Sequence, residues 1–75
     1  MQHLTLKHFI LKQRVLNLYR HAIRVSRSIQ DTQARKETLS FIRAEFDRNR
    51  HLNDVSVIED KISVGRRELR RYLPY

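Results

Sequence analysis

Apolar positions recur along the chain at helical spacing, in three separate runs. In the first run Leu11, Val15, Leu18, Ala22, Val25 and Ile29 follow one another at intervals of four and three. That places them on one stripe of an α-helix predicted from about Thr5 to Ile29. Phe9, Leu16, Tyr19 and Ile23 fall on the adjoining face. Together the two sets make an apolar arc roughly half the helix circumference wide, at about 100° per residue. One neighbouring helix rarely covers so wide an arc. Two helices would, or one helix and an external partner. Asn17, Arg20, Arg24 and Arg27 lie on the opposite side.

The segment from Ser28 to Gln33 is polar and holds Asp31 and Thr32, both good N-caps. A second helix is predicted from about Gln33 to Asn49, with Leu39, Ile42 and Phe46 facing inward, Phe41 to one side, and Asn49 as a left-handed C-cap. After a short connection, Ser56 and Glu59 match a capping box, with Asp54 as a rival cap. The third helix runs to about Tyr72 on a stripe of Ile58, Ile62, Gly65, Leu69 and Tyr72. A glycine inside a helix costs about 1 kcal/mol relative to alanine. Gly65 is then either a tolerated surface glycine or a notch on the packed face where a neighbouring chain approaches closely, and its place in the apolar stripe favours the notch. Pro74, the one proline, lies where it breaks no helix, and no alternating run reads as a strand. Short connections make sequential helices antiparallel. The expected fold is all-α, a three-helix up-down-up bundle with a long first helix, forming one domain over residues 1–75.

A chain of 75 residues buries only about 60% of the surface its unfolded form exposes. Its core is thin, so a partner or ligand has stability to add. The absence of cysteine removes disulfides and thiolate metal sites and fits a reducing compartment. No stretch approaches the roughly 18 apolar residues of a membrane span, and nothing has the form of a signal-peptide core. The strongest compositional signal is charge: sixteen Lys and Arg against eight Asp and Glu, a formal net +8. Such a chain seeks an anionic surface: nucleic acid, anionic lipid or an acidic protein.

Catalytic signatures are missing. There is no Gly-rich phosphate loop, no G-x-S-x-G, no cysteine nucleophile and no H-E-x-x-H. The four histidines at positions 3, 8, 21 and 51 present no pair three or four apart, so they read as ordinary solvated side chains, not metal ligands. No carboxylate pair stands out as acid and base. The expectation is a protein without catalytic residues or metal of its own.

The basic residues carry more. Lys12, Arg14 and Arg20 lie along the first helix, and Arg43 and Arg50, seven apart, share one face of the second. Arg66, Arg67, Arg70 and Arg71 read as solvated surface or as a different contact. Leu18-Tyr19-Arg20 sits at the apolar boundary of the first helix, and downstream come Arg43-Ala44-Glu45-Phe46 and Asn49-Arg50. In combination these residues, with a glycine in the third helix, resemble the LYR family over nearly the whole chain. That family carries L-Y-R on its first helix, then R-x-E-F and a basic residue at the end of its second. The opening Leu4-Thr5-Leu6-Lys7-His8-Phe9, leading into Gln13-Arg14-Val15-Leu16, is similar to the segment before the motif in one particular member. His8 stands where that member's pattern calls for glutamine.

The resemblance implies a mitochondrial adaptor that binds the mitochondrial acyl carrier protein, whose acyl chain, on a 4'-phosphopantetheine arm, enters the three-helix bundle. The chain would then need no cofactor of its own beyond that acyl-4'-phosphopantetheine. By resemblance, Tyr19 and Arg20 lie beside the arm, and Arg43 and Arg50 face the carrier's acidic helix. Lys12 is a further basic contact, with Arg14 as its substitute. Phe46 lines the acyl tunnel together with Leu18, Ala22, Ile42, Ile58 and Ile62, which are equally plain core, because tunnel and core are the same place. The member suggested implies a client in respiratory complex I, as subunit or assembly factor, and a place in the mitochondrial matrix, peripheral to the inner membrane. A different reading is a basic nucleic-acid-binding helical module such as a mitoribosomal protein, although the charge is spread over all three helices. Further alternatives are an LYR adaptor for iron–sulfur cluster or complex II assembly, and an interfacial or targeting helix over Met1 to Leu16, which is basic, amphipathic and free of acids.

Overall fold

The structure, a computed structural model, describes residues 4–72. His3 and Pro74 lie outside the described residues, as does the beginning of the acid-free segment. Three helices follow in order: α1 (Leu6–Ser26), α2 (Thr32–Asn49) and α3 (Val55–Tyr72).

The helix starts follow local chemistry. Thr5 caps α1: its hydroxyl accepts from the His8 N–H, and the His8 ring accepts in return from the Thr5 N–H at 3.0 Å. This is a capping box with histidine in the place glutamine or glutamate usually takes. Asp31 caps α2 by accepting from the Ala34 N–H at 2.8 Å. At α3 the rival cap prevails over the expected Ser56–Glu59 box. Asp54 Oδ1 accepts from the Ser56 N–H, the Val57 N–H and the Ser56 hydroxyl at 3.0, 3.2 and 2.8 Å. Ser56 is thereby a donor inside the first turn instead of the cap.

The ends depart further from the sequence reading. Helix α1 stops at Ser26, three residues before the expected Ile29, because the Ser28 hydroxyl turns back on the Val25 carbonyl at 2.6 Å. Asn49 is not a left-handed cap, since no non-glycine among the described residues has positive φ. Its side-chain amide donates instead to the Glu45 carbonyl and carboxylate, at 2.9 and 3.1 Å.

Helix α1 is the spine. It packs against both α2 and α3, which among the described residues do not pack on each other. Tyr19 meets Phe46 while Ile23 and Ile42 line one hollow, so α2 runs antiparallel to α1. Leu11 packs with Ile58 and Leu18 faces Gly65, so α3 runs with α1. The wide apolar arc of α1 is thus divided between two helices. Leu11, Ile58 and Ile62 form the core cluster, with Val15, Leu52 and Val55 packed around it, and Ala22 of α1 and Ile42 of α2 are buried outside that cluster. A few buried apolar side chains in a body of 45 × 20 × 15 Å make a thin core, as the length implied. Phe9, expected on the packed arc, is exposed.

Gly65 is the anticipated notch. A Cβ there would stand 2.8 Å from Leu18 Cδ2, closer than real contacts allow. At this α1–α3 approach a side chain at position 65 fits only if the end of Leu18 shifts.

Candidate functional site: the α1–α2 groove

The Leu-Tyr-Arg segment sits mid-way along α1, where α2 crosses it. Tyr19 leans on Phe46 edge to face, centroids 5.1 Å apart and planes at 63°. Its phenol hydrogen-bonds the side chain of Asn49, which Glu45 orients. Burial pushes the phenol above its ordinary value of 10.0, with the Glu45 charge pushing the same way, while the Asn49 bond and Arg48 pull it down.

Beside this pair opens a groove of about 270 Å³. Leu16, Ile23, Ile42 and the two rings form its apolar walls, and Arg20, Arg43 and Asp47 stand at its polar margin. Arg20 and Arg43 are exposed, and neither has an ion-pair partner among the described residues. Arg50 lies one step outside and pairs with Asp47 at 3.5 Å. Both partners are exposed, so that pair contributes little and is readily exchanged for another carboxylate. Arg48 and Glu45 pair one turn back.

Five of the sequence-predicted residues therefore meet around one groove: Tyr19, Arg20, Ile42, Arg43 and Phe46. A smaller hollow of about 30 Å³ on the other side of Tyr19 collects Leu18, Ile58 and Ile62 between α1 and α3. That is space on the scale of a water molecule. Tyr19 lines both hollows and is the wall between them. Ala22 is buried without lining either. Lys12 and Arg14 are exposed and join neither hollow. Leu16 and Ile23 were legible as a second apolar face of the helix but not as groove walls. Asp47, the acidic member of the margin, carries no signal in the sequence that would single it out.

His8 corrects the reading of the histidines as solvated. It is buried, and its Nε2 lies 2.7 Å from the Asn53 carbonyl in the α2–α3 connection. Since Nδ1 accepts from Thr5, Nε2 carries the proton and donates to Asn53. His21 and His51 are exposed, His21 touching Arg24 at 3.3 Å. Among the described residues no three His, Asp or Glu side chains gather as metal ligands.

The family model described as Complex 1 protein (LYR family) matches residues 13–71. Among curated proteins the chain is similar to LYR motif-containing protein 2 of Xenopus laevis, at 39% identity over 66 residues, covering 88% of this chain and 76% of that one. The Homo sapiens protein of the same name is 34% identical over 67 residues, covering 89% and 76%. That of Salmo salar is 40% identical over 60 residues, covering 80% and 67%. No solved structure matches the chain.

Proposed function

The chain belongs to the LYR family of Complex 1 proteins, and on that premise we propose that it is a mitochondrial matrix adaptor that binds an acylated acyl carrier protein. It does no chemistry itself. One observation carries this reading: Tyr19 and Arg20 on α1 and Arg43 and Phe46 on α2, far apart in sequence, surround a single apolar groove with a basic margin.

The parts divide the work by their chemistry. An acidic carrier is steered to a surface of net charge +8. Arg43 and Arg50 meet its acidic helix, Arg50 exchanging Asp47 for a carrier carboxylate, and Lys12 or Arg14 extends the basic contact along α1. Arg20, with a planar fork suited to phosphate oxygens, receives the phosphopantetheine phosphate. Tyr19 flanks the arm. The acyl chain runs past Phe46 and Ile42, then between α2 and α3 over Leu18 and Ala22 toward Ile58 and Ile62. Each CH₂ it buries contributes about 0.8 kcal/mol. The chain is thus a structural ligand that adds stability to a thin core.

The client we propose is respiratory complex I, supported by the complex 1 description of the family. Co-expression with an acidic acyl carrier protein followed by native mass spectrometry is the test. The expected product is a one-to-one complex whose mass includes acylated pantetheine, abolished by the Arg43→Glu, Arg50→Glu double variant. A soluble monomer with no affinity for the carrier overturns the reading. Salt-dependent RNA binding indifferent to Tyr19 and Phe46 substitutions replaces it with the nucleic-acid module.

A further inference from the structure

The start of α1 carries apolar surface that the fold does not use. Leu4, Leu6, Phe9 and Ile10 are 62%, 74%, 61% and 42% exposed. Leu6, Phe9 and Ile10 stand three and four apart on one side of the helix, while His8 and Leu11 on the other side face the core. Gln13 and Asn17 continue the same side as polar residues, so the apolar stripe is confined to the first two turns. Neither α2 nor α3 covers it.

The surroundings say what does. Residues 1–30 contain six Lys and Arg and no Asp or Glu. Lys7 and Arg14 flank the stripe on one side and Lys12 on the other, all exposed. Lys7 reaches Glu59 at 3.8 Å, an exposed pair too weak to hold it. An apolar strip with leucine and phenylalanine, bordered by cations and lacking acids, is the pattern of a helix that lies in a lipid interface. Lysine and arginine stems extend toward headgroups while the strip sinks. A second copy is disfavoured because it would bring the same positive charge against itself. Among the described residues no helix is long and apolar enough to span a membrane. The contact is therefore peripheral.

We propose that Leu4, Leu6, Phe9 and Ile10, with Lys7, Lys12 and Arg14, form a docking surface for an anionic phospholipid membrane. Lys12 and Arg14 are shared with the proposed carrier contact, whereas Leu4, Leu6, Phe9 and Ile10 lie outside the groove, so substitutions confined to these apolar residues separate membrane docking from carrier binding.

The test is flotation of the purified full chain with vesicles. Expected is recovery with phosphatidylcholine–phosphatidylglycerol vesicles, little with phosphatidylcholine alone, and a loss of roughly tenfold or more in partitioning for the Leu6→Ser, Phe9→Ser variant. Both side chains are exposed, so the variant's helical circular dichroism stays that of the parent. A second measurement stands even if the variant misfolds. The chain has no cysteine, so a polarity-sensitive dye on Leu6→Cys blue-shifts with anionic vesicles, and the same dye on Asn17→Cys does not. Equal flotation of parent and variant overturns the proposal, as does equal binding to neutral vesicles. Release from vesicles on adding acyl carrier protein reassigns the strip to the carrier. Concentration-dependent dimers that the serine variant abolishes reassign it to a second copy.

Discussion

The Tyr19 ring meets the Phe46 ring edge-on, centroids 5.1 Å apart, and so joins the two sequence signals that lie on separate helices. Such pairs contribute about 0.5–1.5 kcal/mol beyond the area they bury. A double-mutant cycle with Tyr19→Leu and Phe46→Leu, read by urea denaturation, is expected to give a coupling of about 1 kcal/mol. If the pair also forms the groove wall, each single variant weakens carrier retention more than it weakens the fold. A Leu39→Ala control on α2, away from the groove, affects stability alone.

Gly65 and Leu18 make an opposing pair. Alanine at position 65 gains about 1 kcal/mol of helix propensity but places a methyl 2.8 Å from Leu18 Cδ2. The obstructing atom ends a flexible side chain, so the two effects nearly cancel for Gly65→Ala. Gly65→Leu, with nowhere to go, costs about 1–3 kcal/mol. In a Leu18→Ala background Gly65→Ala is expected to be stabilising by about 1 kcal/mol. Thermal melts of the four variants check this, and stabilisation of equal size in both backgrounds removes the notch argument.

The helices, the notch and the meeting of Tyr19, Arg43 and Phe46 were legible because each depends on periodicity or on a motif tied to a helix face. Phe9 was not. It lies on the same arc as Leu16 and Tyr19, but α2 runs antiparallel and ends at Asn49, one turn past the residue that meets Tyr19. Phe9, nearly three turns earlier on α1, is past the end of the helix that would cover it. Periodicity gives the face of a helix and is silent about how far its neighbour extends. His8 was missed for a related reason: its partner Asn53 is 45 positions away, and no local pattern announces a contact with a connecting loop. The division of the acyl-lining set between two hollows was equally hidden, since spacing cannot tell which neighbour a residue faces.

His8 holds both the start of α1 and the α2–α3 connection. His8→Ala leaves the Thr5 N–H and the Asn53 carbonyl, both in part-buried contacts, without this partner, at about 1–3 kcal/mol. His8→Gln keeps the capping box, since a glutamine side chain accepts from the cap in the same way. Its expected cost in urea denaturation is less than half that of alanine. Equal costs for the two show that the Asn53 contact, not the box, carries the effect.

Acid and alkaline stability separate onto two residues. The Ser56 hydroxyl and the Val57 and Ser56 N–H groups hold the Asp54 carboxyl below its ordinary value of 3.8. A carboxyl that binds its proton less readily when folded contributes stability above the unfolded value, and that contribution is lost as pH falls through the folded one. Tyr19 has the opposite sign. Burial raises its phenol above 10.0, so its contribution is complete below that pH and lost as pH rises through the raised value. Melting temperatures of wild type and Asp54→Asn, which still caps but does not titrate, are expected to converge as pH drops below 3.8. Wild type and Tyr19→Phe differ by a constant amount through neutral pH, and the wild type then falls toward or below the variant above pH 10.0. An acid limb unchanged by Asp54→Asn would place the decisive carboxylate elsewhere, with Asp31, the cap of α2, as the next to substitute.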